Sequence, residues 1–533
     1  SVAIPEGQSR KREFVESEAF QQLTAGAEIH RQDSSFEGKH LGFFTEFETT
    51  KDEVVLMKAG ISFVCEENAR ENLETEIADW DFERVLQSNQ QAWNEALSKV
   101  EVASDDEELK HIFYTALYRT MIDPRLYSDA NGEYMGGDKK IHQTGSFQKR
   151  TIFSGWDVFR SEMPLLTLIR PDVISDMLNS LITLADESGK GYLERWEFLN
   201  AYSGCMIGNP AISVLVDAYK KHIRNYDLEK AWQYAEESSR LFGNAKYGYV
   251  PGSISSTLEY AYTEWCMAEL AKALGKTSEE QHYRKLAKSY QHIYDAEHRS
   301  FRPKDEKGNF LPWPEKGRLT EGYGSVESNP FQQGWFVPHD IPGLVNLMGG
   351  EDAFVGKLDS LFTVSSQLEG EATSADITGL IGQYAHGNEP SHHITHMYNY
   401  VNRPWRTQEL VDSVLYNQYF NAPDGLSGNE DCGQMSAWYI LNSMGFYQVC
   451  PGKPVYSIGR PLFEEVTINL PDRKTFVIRT HNNSKTNKYI ESVLLNGKPL
   501  DVPFFTHDDL VRGGTMEITM SPVPTEWGKQ VKN

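Results

Sequence analysis

Cysteine, basic residues and long apolar runs are scarce in this sequence, and each shortage excludes a class of protein. The five cysteines are odd in number, widely separated and without a CxxC pair, which argues against a disulfide framework and a cysteine zinc site. The 52 Lys and Arg against 76 Asp and Glu give a net charge of −24, and no basic patch marks a nucleic-acid surface. No run approaches the roughly 18 apolar residues of a membrane span. The first residues, "SVAIPEGQSRKREF", hold no apolar signal core.

Length and aromatic content are what the sequence has in abundance. A chain of 533 residues is expected to form two or three domains, because single cores stop growing near about 250–300 residues. Aromatic residues make up 12%, with 11 Trp and 26 Tyr. This content suits carbohydrate binding, and it suits a large core equally well.

Hydrophobic periodicity divides the chain into four segments. Residues 1–78 show short apolar alternation, as in "EVVLMKAGISFV", and predict a β region. The period then becomes helical, which predicts a helical linker over 79–105 and a long helical domain over 106–450. Many helices in series without a fixed repeat length favour a toroid of helical hairpins over a solenoid. Residues 451–533 alternate again, as in "EEVTINLP" and "MEITMSP", and predict a second β region.

Polar and aromatic residues cluster in the loops between the helices. In "TIFSGWDVFRSEMPLL", Trp156, Asp157 and Arg160 follow Gly155 and precede an apolar helix. One interpretation is a helix start with a capping acid. The other is a sugar site, in which the Trp ring stacks on a sugar and the carboxylate accepts hydroxyl hydrogen bonds. The loop "GYLERWEFLNAYSGCMIGNPA" carries Trp196 and is similar in type, although alone it is a weak signal.

A second loop, "GQYAHGNEPSHHITHMYNY", holds four histidines beside an amide and a carboxylate. Zinc is disfavoured, because adjacent His392 and His393 cannot easily face one ion and no HExxH motif is present. Asn388 and Glu389 instead offer the hard oxygen ligands that calcium prefers, in a loop stiffened by Pro390. The alternative is that these polar groups only satisfy the backbone of the loop.

Two further loops supply candidate catalytic carboxyls. Glu327 lies just before Phe331, Trp335 and Phe336, and a carboxyl held against aromatic rings has a raised pKa suited to a general acid. The alternative is a solvated loop acid, the commoner fate of a Glu. In "GLSGNEDCGQMSAWY", Asp431 precedes an apolar helix, whose N-terminus would favour an ionised general base.

The second of these loops also admits a purely structural interpretation. Asn429 or Asp431 would be the N-cap and Glu430 a first-turn acid, each stabilising the helix by roughly 0.5–1 kcal/mol. Capping and chemistry do not exclude one another. A protonated Glu327 and an ionised Asp431 would be the unequal pair that glycoside hydrolysis uses.

Several long motifs together resemble one enzyme family. "FSGWDVFRSEMPLL", "HGNEPSHH", "GNEDCGQMSAWY", "GFYQVCPG" and "YSIGRPLFEEVTINL" resemble signature segments of the glycoside hydrolase family 92 α-mannosidases. The resemblance implies a β-sandwich joined through helices to an (α/α)6 barrel, with the last β segment packing back on the sandwich. Since the match starts in the later part of the β domain, the sandwich is expected to be incomplete in this chain. It also implies inversion, a calcium ion that holds the mannose O2 and O3, and a secreted, periplasmic or cell-surface bacterial enzyme.

The resemblance also assigns roles by position. The acid falls on Glu327 and the base on Asp431, with Asn429 counted among the catalytic residues because close relatives often have another acid there. Asn388 and Glu389 are the implied calcium ligands. The predicted substrate-binding residues are Trp156, Asp157, Arg160, Trp196, His386, His392, His393 and Glu430. The segment "ESNPFQQGWF" departs from the family, which more often has a glycine after the acid and a Trp at Phe331.

The expected function is therefore exo-hydrolysis of terminal α-linked mannose from N-glycans or mannans. Two alternatives stay open. One is a mannosyl-phosphodiester hydrolase of the same family, in which the leaving phosphate needs no acid. The other is a mannan-binding protein, which would need neither carboxyl. The linkage is not predicted, and the stretch "EATSADITG" is only one candidate for meeting the second sugar.

Overall fold

A computed structural model describes Ala25, residues 45–368 and residues 374–529. The chain divides into two units, Ser1–Lys58 and Ala59–Asn533. In the first unit, the described residues 45–58 contain one turn and neither helix nor strand. The second unit holds all the elements discussed below. None of the described helices is long and apolar enough to cross a membrane.

The predicted β region before residue 79 is absent from the described residues. Residues 1–24 and 26–44, which carry most of this prediction, lie outside them. Residues 53–64, whose alternation predicted a strand, pair with no other strand that the structure describes, and residues 66–76 are helical. An alternating pattern forms a strand only where a neighbouring strand completes its hydrogen bonds. Val54 and Met57 are accordingly 78% and 84% exposed.

Residues 79–450 are mainly helical, as their periodicity predicts. The α-helices are α1 (Glu66–Glu76), α2 (Phe82–Leu97), α3 (Glu107–Arg119), α4 (Gly155–Val158), α5 (Glu162–Ile169), α6 (Pro171–Glu187), α7 (Pro210–Lys220), α8 (Leu228–Leu241), α9 (Ile254–Ala273), α10 (Thr277–Leu286), α11 (Pro330–Gln333), α12 (Ile341–Leu347), α13 (Glu351–Thr363), α14 (Pro404–Asn417), α15 (Gln434–Met444) and α16 (His507–Val511). The 3-10 helices are Ser289–Ile293, Gly317–Leu319, Pro338–Asp340, Glu389–Ser391, Ile394–Val401 and Pro471–Arg473.

Strands are short within the helical part and longer after it. They are β1 (Val100–Ala103), β2 (Arg125–Leu126), β3 (Glu133–Met135), β4 (Ile141–Gln143), β5 (Arg150–Thr151), β6 (Tyr294–Asp295), β7 (Ser300–Phe301), β8 (Leu380–Ile381), β9 (Tyr384–Ala385), β10 (Phe446–Tyr447), β11 (Val455–Ile458), β12 (Glu465–Asn469), β13 (Thr475–His481), β14 (Tyr489–Leu495), β15 (Lys498–Pro499), β16 (Phe504–Thr506) and β17 (Gly514–Ser521).

The most buried helices lie side by side and are covered by the others. Helix α7 packs between α5 and α9, and α15 packs against α5. Outside them, α6 covers α5 and α7, α8 and α10 cover α9, and α3 covers α15. Every residue of α5 and of α15 is buried, because each helix is enclosed by neighbours on all sides. These contacts fit a ring of helical hairpins, and the count of six hairpins stays a prediction.

The loops that lead into the buried helices carry the predicted site. Residues 154–160 precede α5, residues 388–393 precede the 3-10 helix Ile394–Val401, and residues 429–433 precede α15. In a ring of hairpins, inner and outer helices alternate in direction, so all loops that enter inner helices open at one end. This rule would place residues about 40 to 280 positions apart in sequence at one end of such a ring.

The C-terminal β region forms as predicted. Its sheet has the strand order β1-β12-β13-β17-β14-β15, with β13 and β17 parallel and the other neighbours antiparallel. Val466, Ile478 and Ile518 all belong to its buried face. The edge strand β1 comes from the segment predicted as a helical linker, where Val102 pairs with Val466. That segment is therefore one helix followed by a strand of the distant sheet. Strands β10, β11 and β16 form a second, antiparallel sheet.

Candidate active site

Three carboxylates from three different loops come close together in the structure. Asp157, Glu389 and Asp431 each place one oxygen so that all three oxygens lie within 4.8 Å of one another. Asp157 lies on the four-residue helix α4, Glu389 begins a 3-10 helix, and Asp431 lies in the turn before α15. Like charges this close repel strongly, so the group requires a proton or a cation.

The acidities of the three groups reflect this crowding. Burial raises the pKa of Asp157 well above its usual value, and the charge of Asp431 raises it further. Burial also raises the pKa of Glu389 well above its usual value, assisted by the charges of Asp157 and Asp431. Glu389 and Asp431 share a hydrogen bond, in which Glu389 holds the proton when no cation is present.

Two buried oxygens in this region have no hydrogen-bond partner among the described residues: Asn388 Oδ1 and Glu389 Oε1. The amide nitrogen of Asn388 donates to the main-chain oxygen of Glu327 at 2.7 Å, which fixes the amide. A buried oxygen without a hydrogen-bond partner lowers the stability of the fold by about 1–3 kcal/mol, so binding of a positively charged partner is favoured. Carboxylate and amide oxygens with no sulfur or imidazole ligand fit a hard cation such as calcium.

Glu327 faces this cluster from a fourth loop. It is half-buried, and no protein donor in the described part of the chain contacts its carboxyl group. Burial, followed by the charges of Asp376 and Asp431, raises the pKa of Glu327 to about 7. The direction of the shift is as predicted, but the cause differs. Glu327 lines a small recess with Ser328 and Asn388, and none of the described aromatic residues lines that recess. Phe331 and Trp335 belong to the core.

The helix-start interpretation of Asp431 is wrong. Helix α15 begins at Gln434, and its N-cap position is Gly433, which has no side chain to accept a hydrogen bond from the first turn. Glu430 reaches the helix start instead, where its carboxylate accepts from Ser436 N at 3.1 Å and from Ser436 Oγ at 2.8 Å. Burial raises the pKa of Asp431, so the helix N-terminus does not hold this group ionised. Asp431 is thus free of the helix and available to the cleft.

Asn429 and Glu430 face partners away from the three carboxylates. Asn429 is exposed, and its amide donates to Asp376 Oδ1 at 3.1 Å. Glu430 pairs with Arg119 at 3.5 Å in addition to its contacts with Ser436. These positions give no direct support to the predicted catalytic role of Asn429 or to the predicted sugar contact of Glu430. They bring Asp376 to the rim of the site.

Trp156 and Arg160 form a buried group with an acid from helix α9. Trp156 Nε1 donates to Glu259 Oε1 at 3.1 Å, and Arg160 donates to the same oxygen at 2.9 Å. The Trp156 ring is 0% exposed, so it leaves no face for the predicted stacking on a sugar. Arg160 Nη1 has no partner among the described residues, and it lines a small internal space together with Glu389.

The predicted sugar-binding histidines have protein partners at this end of the ring. His386 contacts the hydroxyls of Tyr384 and Tyr419 through its two ring nitrogens. His392 uses its ring nitrogens for His386 O and for the amide of Gln434, and His393 Nε2 contacts the main-chain oxygen of Trp335. Burial lowers the pKa of all three, to about 3 for His386 and about 4 for His393. The three neutral rings brace the loop, and their predicted substrate contacts gain no support.

Trp196 is half-buried on the loop that leads into α7. Its neighbour Glu197 pairs with Phe153 through two main-chain hydrogen bonds of 3.0 Å, so the loop lies directly beside residues 154–157. Trp196 is therefore near the segment that carries Asp157, and its sugar contact stays a prediction.

Sequence reasoning missed three residues that organise the site. Gln434 accepts from the main-chain N–H groups of Ser161 and Glu162 and donates to His392, which ties two loops together. Glu259 holds Trp156 and Arg160. Asp376 lies within the stretch marked for the second sugar but was not singled out. The available signal was a Glu in the middle of the otherwise apolar pattern of α9, since an unpaired acid is rarely buried.

Comparison with known proteins places these features in a family. The model of the glycosyl hydrolase family 92 catalytic domain matches residues 68–522. A family GH92 α-mannosidase of Bacteroides thetaiotaomicron has 34% sequence identity and a TM-score of 0.83, over 88% of this chain and 63% of its own. Its complex with mannoimidazole gives a TM-score of 0.82 at 35% identity, over 88% of this chain and 64% of its own.

Two further relatives extend the comparison. An inverting mannosidase of family GH92 from the same species has 34% identity and a TM-score of 0.80, over 88% of this chain and 67% of its own. An uncharacterised secreted glycosidase of Arthroderma benhamiae is 27% identical over 89% of this chain and 61% of its own length. The chain thus spans less than two thirds of the length of the fungal relative and of the first mannosidase.

Proposed function

The chain belongs to glycosyl hydrolase family 92, and on that premise we propose that it is an exo-acting α-mannosidase that releases terminal mannose with inversion. One observation carries the proposal. Glu327, a carboxyl group with a pKa of about 7, faces three crowded carboxylates, and two buried oxygens beside them, Asn388 Oδ1 and Glu389 Oε1, have no hydrogen-bond partner among the described residues. Such a pairing of a protonated and an ionised carboxyl is what a single-displacement glycosidase needs.

Glu327 is the proposed general acid. Its raised pKa leaves about half of the molecules protonated at pH 7, so the proton is available for the oxygen of the departing sugar. The absence of a protein donor on this carboxyl within the described residues leaves it free to donate. As the bond between the mannose anomeric carbon and this oxygen breaks, the proton moves from Glu327 to the oxygen.

Asp431 is the proposed general base. It accepts a proton from a water molecule, whose oxygen attacks the anomeric carbon from the face opposite the leaving group. The attack from the opposite face inverts the configuration and gives β-mannose first. Asp431 can serve this role only when ionised, and a cation bound by the neighbouring Glu389 would favour that state by offsetting the crowded negative charge.

Asn388 and Glu389 would hold a calcium ion, with Asp157 close by. The residues fit, because their free oxygens are buried and the ligand set is oxygen only. A bound calcium ion would offset the charge of the carboxylates and would take the O2 and O3 hydroxyls of mannose as ligands. Within the protein, Arg160 and Glu259 fix α4 and thereby orient Asp157 toward the same point.

The proposed substrate is a mannose-containing glycan, an N-glycan or a mannan, met outside the cytoplasm. The likeness to a secreted glycosidase and to a mannosidase that binds mannoimidazole supports both parts. A mannosyl-phosphodiester hydrolase of the same family is the rival. Because a phosphate leaves without protonation, the raised pKa of Glu327 favours a sugar alcohol as leaving group.

The test is hydrolysis by this chain of α-1,2-, α-1,3-, α-1,4- and α-1,6-linked mannobiose and of a mannose-1-phosphate diester, each with calcium. We expect free mannose from at least one disaccharide. The matched control is Asp431→Asn, which should be inactive on every substrate. Binding of mannose without turnover of any substrate would refute the enzyme, and turnover of the diester alone would favour the rival.

A further inference from the structure

An aromatic pair stands on the loop next to the proposed site. Residues 188–209 connect α6 to the inner helix α7, so this loop opens at the same end of the ring as the loops that carry Asp157 and Asp431. Helix α7 packs against both α4 and α5. Through the pairing of Glu197 with Phe153, the loop lies beside the segment that carries Asp157.

The rings of Trp196 and Phe198 stack at the tip of this loop. Their centroids are 6.1 Å apart and their planes differ by 25°. Phe198 is 49% exposed, whereas most aromatic rings near the site are buried in the core. A stacked pair with one ring left exposed stabilises little of the core, so its position beside the segment that carries Asp157 points to a ligand.

Buried groups hold the tip in a costly conformation. Leu199 and Asn200 both have positive φ, 49° and 55°, a conformation that costs of order 1–3 kcal/mol at a non-glycine residue. Glu197, 2% exposed, accepts from Thr151 Oγ1 at 2.7 Å and from the main-chain N–H of Asn200. The Asn200 amide donates to Met135 O at 2.9 Å.

These contacts make the loop rigid before any ligand arrives. The burial of Glu197 raises its pKa to about 7, because enclosing the carboxyl away from water disfavours its charged form. A second hydroxyl contact, from Ser203 to the main-chain oxygen of Trp196, fixes the other side of the tip. A surface fixed in advance loses little entropy when it binds.

We propose that Trp196 and Phe198 form an outer sugar subsite, which stacks on the apolar face of a mannose unit on the leaving-group side of the cleaved bond. The proposal rests on the proposed mannosidase function, since an exo-enzyme places the terminal sugar in the cleft and leaves the rest of the glycan to extend along the rim. Sugars present a face of C–H groups that packs on aromatic rings, and the pair offers such a surface next to the cleft.

The test compares a long and a short substrate on the same preparations. Phe198→Ala should lower kcat/KM on a linear mannotetraose about two- to tenfold, mainly through KM. It should leave kcat/KM on α-mannosyl fluoride unchanged, because the fluoride leaving group has no face to stack on the pair. Phe198→Tyr keeps the ring and should retain the wild-type ratio of the two values. Phe82→Ala is the matched control, because Phe82 is also exposed, at 61%, but begins the distant helix α2.

Binding separates this proposal from the proposed function. Calorimetric titration of mannotetraose into the Asp431→Asn variant should give a weaker affinity when Phe198→Ala is added, whereas the affinity for methyl α-mannoside should not change. If the wild-type chain hydrolyses neither substrate, the proposed mannosidase function is refuted. The titration would still show whether Phe198 contributes to the binding of a long glycan. An equal loss on long and short substrates, or no loss on either, would overturn the subsite.

Discussion

The acidity of Glu327 determines how the activity should depend on pH. A Glu with the ordinary pKa of 4.5 would be protonated in less than about 1% of molecules at pH 7, whereas a pKa of about 7 leaves about half protonated. The folded-state pKa is raised, so the acid is fully present below pH 6 and is lost as the pH rises through 7. On an unactivated mannobiose, kcat/KM should fall about tenfold per pH unit above 8.

Glu327→Gln removes the proton donor while keeping the size of the side chain. On mannobiose we expect a loss of about 10²- to 10⁴-fold, which is the usual contribution of a general acid. On 2,4-dinitrophenyl α-mannoside, whose leaving group needs no proton, the loss should be much smaller and the alkaline fall should vanish. Glu264→Gln is the matched control, because burial raises the pKa of Glu264 to about 7 on helix α9, and its variant should keep the wild-type profile.

Asp376 gives this reasoning a second, independent check. Its charge is the largest electrostatic contribution to the raised pKa of Glu327 after burial. Asp376→Asn should therefore shift the alkaline fall of the mannobiose profile to lower pH. The reasoning is refuted if Glu327→Gln loses equal activity on both substrates, or if the alkaline fall persists in that variant.

Three other predictions concern the metal, the base and the pH dependence of stability. Exhaustive chelation should abolish turnover and calcium should restore it, while Glu389→Gln should need a higher calcium concentration; full activity in metal-free protein would contradict this. Asp431→Asn should eliminate hydrolysis of activated and unactivated mannosides alike, with a nearly unchanged melting temperature. Proton NMR of the fresh wild-type product should show β-mannose first, and α-mannose first would refute the inverting mechanism. Since the pKa of buried Glu264 is raised from 4.5 to about 7, the folded state binds the extra proton and stability falls as the pH rises through this window, by up to about 3 kcal/mol. Melting curves of Glu264→Gln with calcium should show a smaller fall, because Glu197 and Glu327 also titrate in this window and keep their contributions. Curves parallel to wild type would contradict the assignment.

The regular elements could be predicted because their pattern is local. The apolar stripes of α3 and α9 and the alternation of β12 and β17 follow from which side must face the core. The edge strand β1 was not predicted, because its partner β12 lies about 365 positions later in the sequence, where Val466 pairs with Val102. The segment 53–64 failed for the opposite reason. Its alternation is genuine, but no strand in the described structure completes its hydrogen bonds.

The candidate site was predicted where motifs are dense and missed where partners are distant. Asn388 and Glu389 lie in one short loop, and their residue types alone indicate hard oxygen ligands. The pairing of Trp156 and Arg160 with Glu259 joins positions about a hundred residues apart and depends on the packing of α9 behind α4. No local pattern encodes that contact. The predicted stacking of Trp156 failed because residue type does not show whether a ring is covered.

The adjacent acids Glu430 and Asp431 posed a different problem, because the sequence does not show which of the two side chains accepts hydrogen bonds from the start of helix α15. The backbone of Asp431 and Cys432 is left-handed, with φ of 49° and 57°, and this turn separates the two side chains. Glu430 is directed back to Ser436, whereas Asp431 is directed to Glu389. Predicting this division required the backbone dihedrals, which propensities for single residues do not supply.

Both proposed catalytic carboxyls belong to left-handed residues beside a capped helix start. Glu327 has φ of 49°, and two positions later Asn329 forms a capping box with Gln332 at the start of α11. Asp431 has the same φ, and Glu430 beside it bonds the start of α15. A left-handed non-glycine residue persists only when its surroundings fix it, and a capped helix start is a rigid support. Capping therefore acts one or two residues away from each acid, where it fixes the backbone and leaves the oxygens of the carboxyl unused.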